Sequence, residues 1–403
     1  MTAGDLPVDL HDPAALIAAD TAALLPAAAL AGAQVRSTAD QLAGRPPLER
    51  PRALVVVGAG AAAEAALLVA LIGEQAQTPI VAAAGLPAWV GPLDVVVVFA
   101  AAFDDPLAAR AAAVAARRGA AVVVRASTQG SVADAAQGNL IDPRVSVTEA
   151  LCGPARLTVL AGIAADAGLY PRPDFDAVAE LLDAMALACH PASEFFVNPA
   201  LTLAEHLLTG VPLLIGMDPI ADAMTAYGCR SLAALAGLAA AGLTAGEAAG
   251  SPSVLARSGS GDARAGVFYD PFVEKAVAST PPITAVLLSG PPTDLMAERS
   301  RLSTALEAAL PRAIRVGQEE PPGTGAPAPA SGALEQVERD NFAATVLLMS
   351  RIDFAAVYAG LATGARPPAD VPDGLGLPGR SVQHLPSSIA AAAWSETETD
   401  PWS

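Results

Sequence analysis

The side chains able to move protons or hold an anion in this chain of 403 residues are few and scattered. Its histidines are His11, His190, His206 and His384, and its sole lysine is Lys275. No H-x-x-x-H or C-x-x-C spacing occurs, so no metal set is expected. G-x-S-x-G is absent as well, which leaves no strained serine elbow. Cys152, Cys189 and Cys229 lack paired spacing and read as buried, reduced thiols. Two turns stand where an α/β protein would ordinarily hold an anion. Gly58-Ala59-Gly60 follows the strand-like run ALVVV, and Asp104-Asp105 follows DVVVVF. Turns of this kind open helices, whose free N–H groups and dipole attract negative charge. A dinucleotide site would also need an acidic residue at the end of the next strand, and Thr78–Ala83 ends without one, so no nicotinamide cofactor is expected.

The elements around these turns are legible. An unbroken β-branched run bounded by turn signals reads as a strand buried on both faces, the mark of a parallel sheet. Strands are expected at Arg52–Val57, Thr78–Ala83, Asp94–Val98, Ala121–Arg125 and Arg144–Val147. Helices are expected at Ala61–Ile72, Asp105–Arg118 and Ser131–Ala136. This alternation implies right-handed βαβ crossovers and an α/β fold with helices on both faces. Two helices interrupted by Pro26 should precede it, over Asp12–Leu42. Helices at Asp174–Cys189 and Pro199–Leu208 lead into a second run: a strand at Val211–Ile215, a long helical region over Met217–Ala241, a strand at Ile283–Leu288, a helix at Asp294–Leu310 and a strand at Ala313–Val316. A Pro/Gly/Ala loop is expected at Glu320–Gly332, a helical stretch at Ala333–Leu361 and a poorly ordered tail after Arg366. The expected boundaries are N-terminal helices at 1–44, domains at 45–172 and 173–365, and the tail at 366–403.

Composition sets the surroundings. The chain is 53% apolar and 16% charged, with a formal net charge of −18. Such a surface repels nucleic acid and anionic membranes, so neither is an expected partner. The opening MTAGDLPVDLHD has no basic n-region, and the apolar runs are broken by Gly, Pro and Asp. A cytoplasmic location without a membrane span is therefore expected.

Several stretches together resemble the sugar isomerase (SIS) family, in particular its bifunctional phosphoglucose/phosphomannose isomerases, with the TobH branch nearest in pattern. The GAG turn at Gly58–Gly60 and the strand before Phe99 fall in the family's order. Ala126-Ser127-Thr128-Gln129-Gly130-Ser131 looks like its loop before a short helix. Gly153-Pro154-Ala155-Arg156 sits where the family keeps a Pro-Arg pair. Asn198-Pro199-Ala200-Leu201 is similar to N-P-A-K, with Leu201 in the lysine's place. Asp353-Phe354-Ala355-Ala356-Val357-Tyr358 is similar to a late G-D-Y-x-S-V-Y helix.

The resemblance implies two tandem SIS domains, each a three-layer α/β/α sandwich around a five-stranded parallel sheet, and a homodimer. It also implies aldose–ketose isomerisation of a sugar phosphate, with no cofactor. That chemistry needs a phosphate cradle, a general base and a ring-opening group. The pocket so implied is Gly58, Gly60, Ala62, Ala101, Asp104 and Arg156. Its chemistry is depleted. The family's S-Y-S-G-N-T-E-E-T turn falls on Phe99–Leu107, so hydroxyl positions become Phe99, Ala101 and Asp104, and the serine of the other turn becomes Ala62. Each of Asp104 and Asp105 would repel an anion about 4 Å away by roughly 4 kcal/mol at an effective dielectric near 20. A helix dipole returns only roughly 0.3–1 kcal/mol. Either aspartate is instead expected to cap its helix.

The family's general-base glutamate falls on Ala234, or on Gly237 when the segment is anchored on Arg230 rather than Tyr227. The only carboxylate nearby, Glu247, would need a large shift to act as the base. No histidine lies in Ala249–Ala265, and the family's C-terminal lysine has no counterpart. Arg156 is expected to pair with Asp104 or Asp105. The reading that follows is a catalytically degenerate SIS-fold protein with a binding or regulatory role in sugar-phosphate metabolism. The alternatives are an active isomerase with displaced catalytic groups, and a scaffold with no small-molecule site.

Overall fold

The computed structural model describes residues 6–58, 60–73, 76–102, 104–136, 139–259, 281–290, 296–317 and 341–365. The chain forms two compact units. Among the described residues the first takes 20–190 and 341–350, and the second takes 6–19, those between 191 and 317, and 351–365.

Three helices open the chain: α1 (Pro13–Ala19), α2 (Leu24–Ala29) and α3 (Ala31–Leu42). The expected break at Pro26 does not occur. Pro26 is the third residue of α2, where a backbone N–H has no intrahelical partner to lose, and the interruption falls at Leu30.

In the first unit, β1 (Ala53–Val57), β2 (Ile80–Ala83), β3 (Asp94–Phe99), β4 (Ala121–Arg125) and β5 (Leu140–Ile141) form one parallel sheet in the order β2-β1-β3-β4-β5. The crossovers are α4 (Ala61–Ile72), α5 (Pro106–Arg117) and α6 (Ser131–Ala136). A 3₁₀ turn at Glu149–Leu151 leads into α7 (Gly153–Asp166), and α8 (Phe175–Ala188) follows. Successive residues of β3 serve opposite faces. Val96 and Val98 pack with Ala108, Ala111 and Ala112 of α5, while Val95, Val97 and Phe99 pack with α4 and α7. This double burial is why the valine runs are continuous rather than alternating.

The strand expected at Arg144–Val147 is absent. The fifth strand is Leu140–Ile141, paired with Val124 and Arg125 at the very end of β4. Pro143 then ends the pairing, because it has no N–H to donate.

In the second unit, α9 (Pro199–Leu207) precedes β6 (Val211–Gly216), α10 (Pro219–Ser231), β7 (Ala241–Thr244), α11 (Ala245–Ala249), α12 (Pro252–Gly259), β8 (Ile283–Leu288), α13 (Met296–Ala309) and β9 (Ile314–Val316). The sheet is parallel, in the order β7-β6-β8-β9. Among the described residues it has four strands, where five were expected. The single helical region expected over Met217–Ala241 is also corrected. After α10 comes a π-helical turn at Leu232–Ala236, and Gly237 closes it at φ 64°. The chain then forms β7, an edge strand with little burial. Alanine and leucine favour helix locally, but pairing of Ala241–Thr244 with β6 overrides that preference.

The final helix, Asn341–Thr363, is long and apolar enough to cross a membrane, yet 94% of its most apolar window is buried within the protein. In the second unit it makes a close approach at Gly360, where a Cβ would lie 2.3 Å from the Leu235 carbonyl oxygen. The expected loop at Glu320–Gly332, the 333–340 part of the expected helical stretch, the tail, Lys275 and His384 lie outside the described residues.

Candidate functional site

The carboxyl end of a parallel sheet is where α/β proteins gather ligands, and the first unit places its candidate residues there. Gly58 follows β1 with φ 137°, and a Cβ on it would stand 2.3 Å from the Phe99 carbonyl oxygen. Only glycine lets β1 and β3 approach so closely at this backbone angle. Gly60, at φ 76°, is the residue before α4 and makes no side-chain cap. Ala62 is exposed on the first turn of α4, and Ala101 is exposed after β3.

The turn after β3 already holds a carboxylate. Asp105 caps α5, accepting from the N–H groups of Leu107 and Ala108, each at 3.0 Å, and from that of Ala101 at 3.4 Å. The backbone donors an anion would use are therefore directed at a residue of the chain itself. Asp104 is exposed beside it.

Arg156 does not pair with Asp104 or Asp105. It lies in the first turn of α7, 2% exposed. Its Nη1 stands 3.8 Å from Glu64 Oε1, and its Nη2 forms an ion pair with Glu149. Its guanidinium carbon lies 5.2 Å from the centre of the Phe99 ring. The physical reason is helix packing: α4 lies against α7, which brings Glu64, a fully buried residue, to the arginine. Glu149 approaches from the 3₁₀ turn that leads into α7.

Arg125 joins this cluster from the last position of β4. It is 5% exposed, and its Nη2 donates to Cys152 Sγ at 3.8 Å. The thiol in turn points to the Thr148 carbonyl at 3.5 Å. Burial pushes the Cys152 thiol up from its ordinary value, against the opposing pull of Arg125. Sequence reasoning missed Glu64, Glu149 and Arg125. A signal existed for two of them: Glu64 is the one charged residue in AAAEAALLVALI, and Arg125 ends the otherwise apolar strand AVVVR.

In the second unit, Glu247 is a structural cap. The Thr244 hydroxyl accepts from the Glu247 N–H at 3.2 Å, and the Glu247 carboxylate accepts from the Thr244 N–H at 2.8 Å. The backbone and side chain of Thr244 hold its carboxyl below the ordinary value. A carboxylate stabilised in its charged form and turned to its own helix end is a poor proton acceptor. Ala234 is exposed in the π-helical turn, and Gly237 sits at its left-handed end.

Tyr227, at the place of the family's arginine, is fully buried and donates to Asp353 Oδ2 at 2.7 Å. Ser231 donates to Asp353 Oδ1 at 2.7 Å. Leu201 is 2% exposed on α9, whose start is capped by Asn198.

The histidines are spread over both units. His190 is in the first unit, and burial holds its imidazole below the ordinary value. In the second unit, His11 lies 3.5 Å from Glu205 and stacks on Phe195 at 4.0 Å. His206 is half-buried, with Nε2 3.0 Å from the Ala285 carbonyl oxygen. Both line a cavity of about 310 Å³ with Leu10, Thr202, Glu205 and Ile314. Burial holds His206 below its ordinary value of 6.5. The unfolded chain therefore binds this proton more readily than the folded one. Stability should be whole above about pH 6.5, fall as the pH drops below it, and level off once the folded imidazole itself protonates. Urea midpoints at pH ~7.5 and ~5.5 check this, and His206→Gln should flatten the difference.

No family profile matches the sequence, and no curated protein matches it. Solved structures do. A hypothetical protein from Thermus thermophilus superposes with a TM-score of 0.58 at 12% identity, over 90% of this chain and 91% of that one. A candidate phosphosugar isomerase from Bacillus subtilis gives 0.55 at 13% identity, over 83% and 94%. Tagatose-6-phosphate ketose/aldose isomerase from Escherichia coli gives 0.50 at 13% identity, over 89% and 92%. At such identities the likeness carries the fold alone. The chain has the fold of the SIS-type phosphosugar isomerases, built on one five-stranded and one four-stranded parallel sheet.

Proposed function

We propose that this chain is a catalytically degenerate SIS-fold protein whose role in sugar-phosphate metabolism, mannose phosphates included, is binding or regulation. The pocket assigned to that role is formed by Gly58, Gly60, Ala62, Ala101, Asp104 and Arg156. The observation that carries the reading is the state of Arg156, held by Glu64 and Glu149 and stacked on Phe99. An arginine with two carboxylates has little positive charge to offer a phosphate. Asp105 adds to this by accepting the Ala101 N–H in the adjacent turn. Proton transfer between C1 and C2 of a sugar needs a base within hydrogen-bond reach, and Glu247 is committed to the cap of α11.

The test is turnover. Purified protein given fructose 6-phosphate, with glucose 6-phosphate and mannose 6-phosphate detected by coupled assays, is expected to show none above background. Rates of roughly 1–10³ per second, ordinary for enzymes, would overturn the reading. They would support the alternative, an active aldose–ketose isomerase, which the fold shared with the tagatose-6-phosphate isomerase favours.

A further inference from the structure

The cavity beside His206 lies wholly within the second unit, at the amino end of its sheet. That is the end away from the one at which α/β proteins gather ligands. Ile314 opens β9 there, and Thr209 stands two residues before β6. Thr202, Glu205 and His206 enter from α9, where spacings of three and four residues put them on one face. Asp9 and Leu10 approach from the leading segment. At about 310 Å³ the space is at the small end of the range for small-molecule sites, roughly 300–1,000 Å³.

The side-chain hydrogens of this lining are already spent. The Thr202 hydroxyl donates to the Pro199 and Asn198 carbonyls, at 3.2 and 3.4 Å. The Thr209 hydroxyl donates to the His206 carbonyl at 2.7 Å, so it accepts from the Thr284 hydroxyl, 3.0 Å away. His206 Nε2 faces a carbonyl oxygen, which can only accept. The ring's hydrogen therefore sits on Nε2, and Nδ1 of the neutral imidazole is left as an acceptor. Burial favours that neutral form. Asp9 and Glu205 are acceptors throughout. Asp9 takes the His11 N–H at 2.9 Å. Among the described residues no arginine or lysine lies within 4.0 Å of either carboxylate, and Glu205 has only the His11 imidazole, at 3.5 Å. Four polar groups of three kinds thus present lone pairs to one space whose other walls include Leu10, Leu208 and Ile314.

This accounting selects the ligand. A phosphate or carboxylate would meet only lone pairs and negative charge. An ammonium brings three N–H donors and a positive charge, and the leucine and isoleucine walls suit a hydrocarbon. Among the described residues no group of three or more His, Cys, Asp or Glu could hold a metal ion, which favours an organic cation. We propose that this cavity binds a small organic cation, a primary ammonium on a short apolar stem, with Glu205 as its ion partner and Thr202 and His206 Nδ1 as further acceptors. The net charge of −18 draws such cations toward the chain. The proposal stands whether or not the chain turns over sugar phosphates.

The full chain, labelled with ¹⁵N, is titrated with n-butylammonium chloride at mildly basic pH, where imidazoles are neutral. n-Butanol supplies the same stem without charge, butyrate the opposite charge, and zinc and magnesium chlorides the competing cations. Saturable shifts of the Leu10, Glu205 and His206 amides are expected with butylammonium, and none with butanol or butyrate. Calorimetry should show Glu205→Gln weakening butylammonium roughly tenfold or more, the scale of one charge-assisted hydrogen bond. The Glu205 side chain is 43% exposed, so this variant should keep the fold. Absence of saturable butylammonium binding overturns the proposal. So do shifts confined to other residues, undiminished binding by Glu205→Gln, or saturation of the same amides by butyrate or by either metal in preference to butylammonium. Should the variant not fold, the pattern of shifted amides in the unaltered chain still decides.

Discussion

Replacing Arg156 by methionine should lower the stability of the first unit by about 3–5 kcal/mol, the usual loss when one partner of a buried ion pair is removed. The reason is Glu64. Its side chain is fully buried on α4, and the arginine is its counter-ion. Methionine fills much of the arginine's volume, so the loss reports charge rather than a cavity. Urea unfolding with an unchanged m value would measure it. The double variant Arg156→Met with Glu64→Leu should recover much of the loss, since only Glu149, which is partly exposed, is then left without its arginine. An arginine retained to hold a ligand gives the opposite result. It is strained by its own charge in the empty protein, and its removal leaves stability unchanged or higher. The sign of this one measurement therefore separates a closed pocket from an open one.

Asp353→Ala is expected to be nearly as damaging in the second unit. Asp353 is 3% exposed and accepts two hydrogen bonds of 2.7 Å, from the Tyr227 and Ser231 hydroxyls. Alanine would leave two buried donors, each at roughly 1–3 kcal/mol, for a total of about 2–5 kcal/mol after partial relaxation. Asp353→Asn keeps the shape and one acceptor, so its loss should be about half as large. Tyr227→Phe should lose less still, because it removes one donor and leaves the carboxylate its bond to Ser231. Urea midpoints ordered Ala, Asn, Phe from lowest to highest would bear this out. Equal stability of the alanine variant and the parent chain would refute it.

The strands were readable because their environment imposes a simple rule. β1, β3 and β4 are covered on both faces, and valine is the residue that such positions favour. β7 and β5 escaped that rule for opposite reasons. β7 is an exposed edge made of small residues, so nothing in AGLT marks a strand. β5 is two residues long, below any period that can be counted. In the candidate site, the lack of hydroxyls at Ala62, Phe99 and Ala101 could be read position by position, because each is a statement about one residue. The pairing of Arg156 could not. Glu64 is 92 residues earlier in the chain, with β2, β3, β4 and β5 between them, and only the packing of α4 on α7 makes it a neighbour. Counting along a helix failed too where the π-helical turn at Leu232–Ala236 inserts an extra residue into the spiral.

The second unit also dictates an order of events during synthesis. Val8 donates its N–H to the Ala362 carbonyl, so the first and last described segments meet in one unit. At roughly 5–20 residues per second, the ribosome releases these partners some tens of seconds apart. The leading segment must stay soluble and uncommitted over that interval, while Asp20–His190 can begin to condense behind it. A translation pause before Ala362 is made would prolong this wait, and the unit that holds Val8 would finish after the one formed by Asp20–His190.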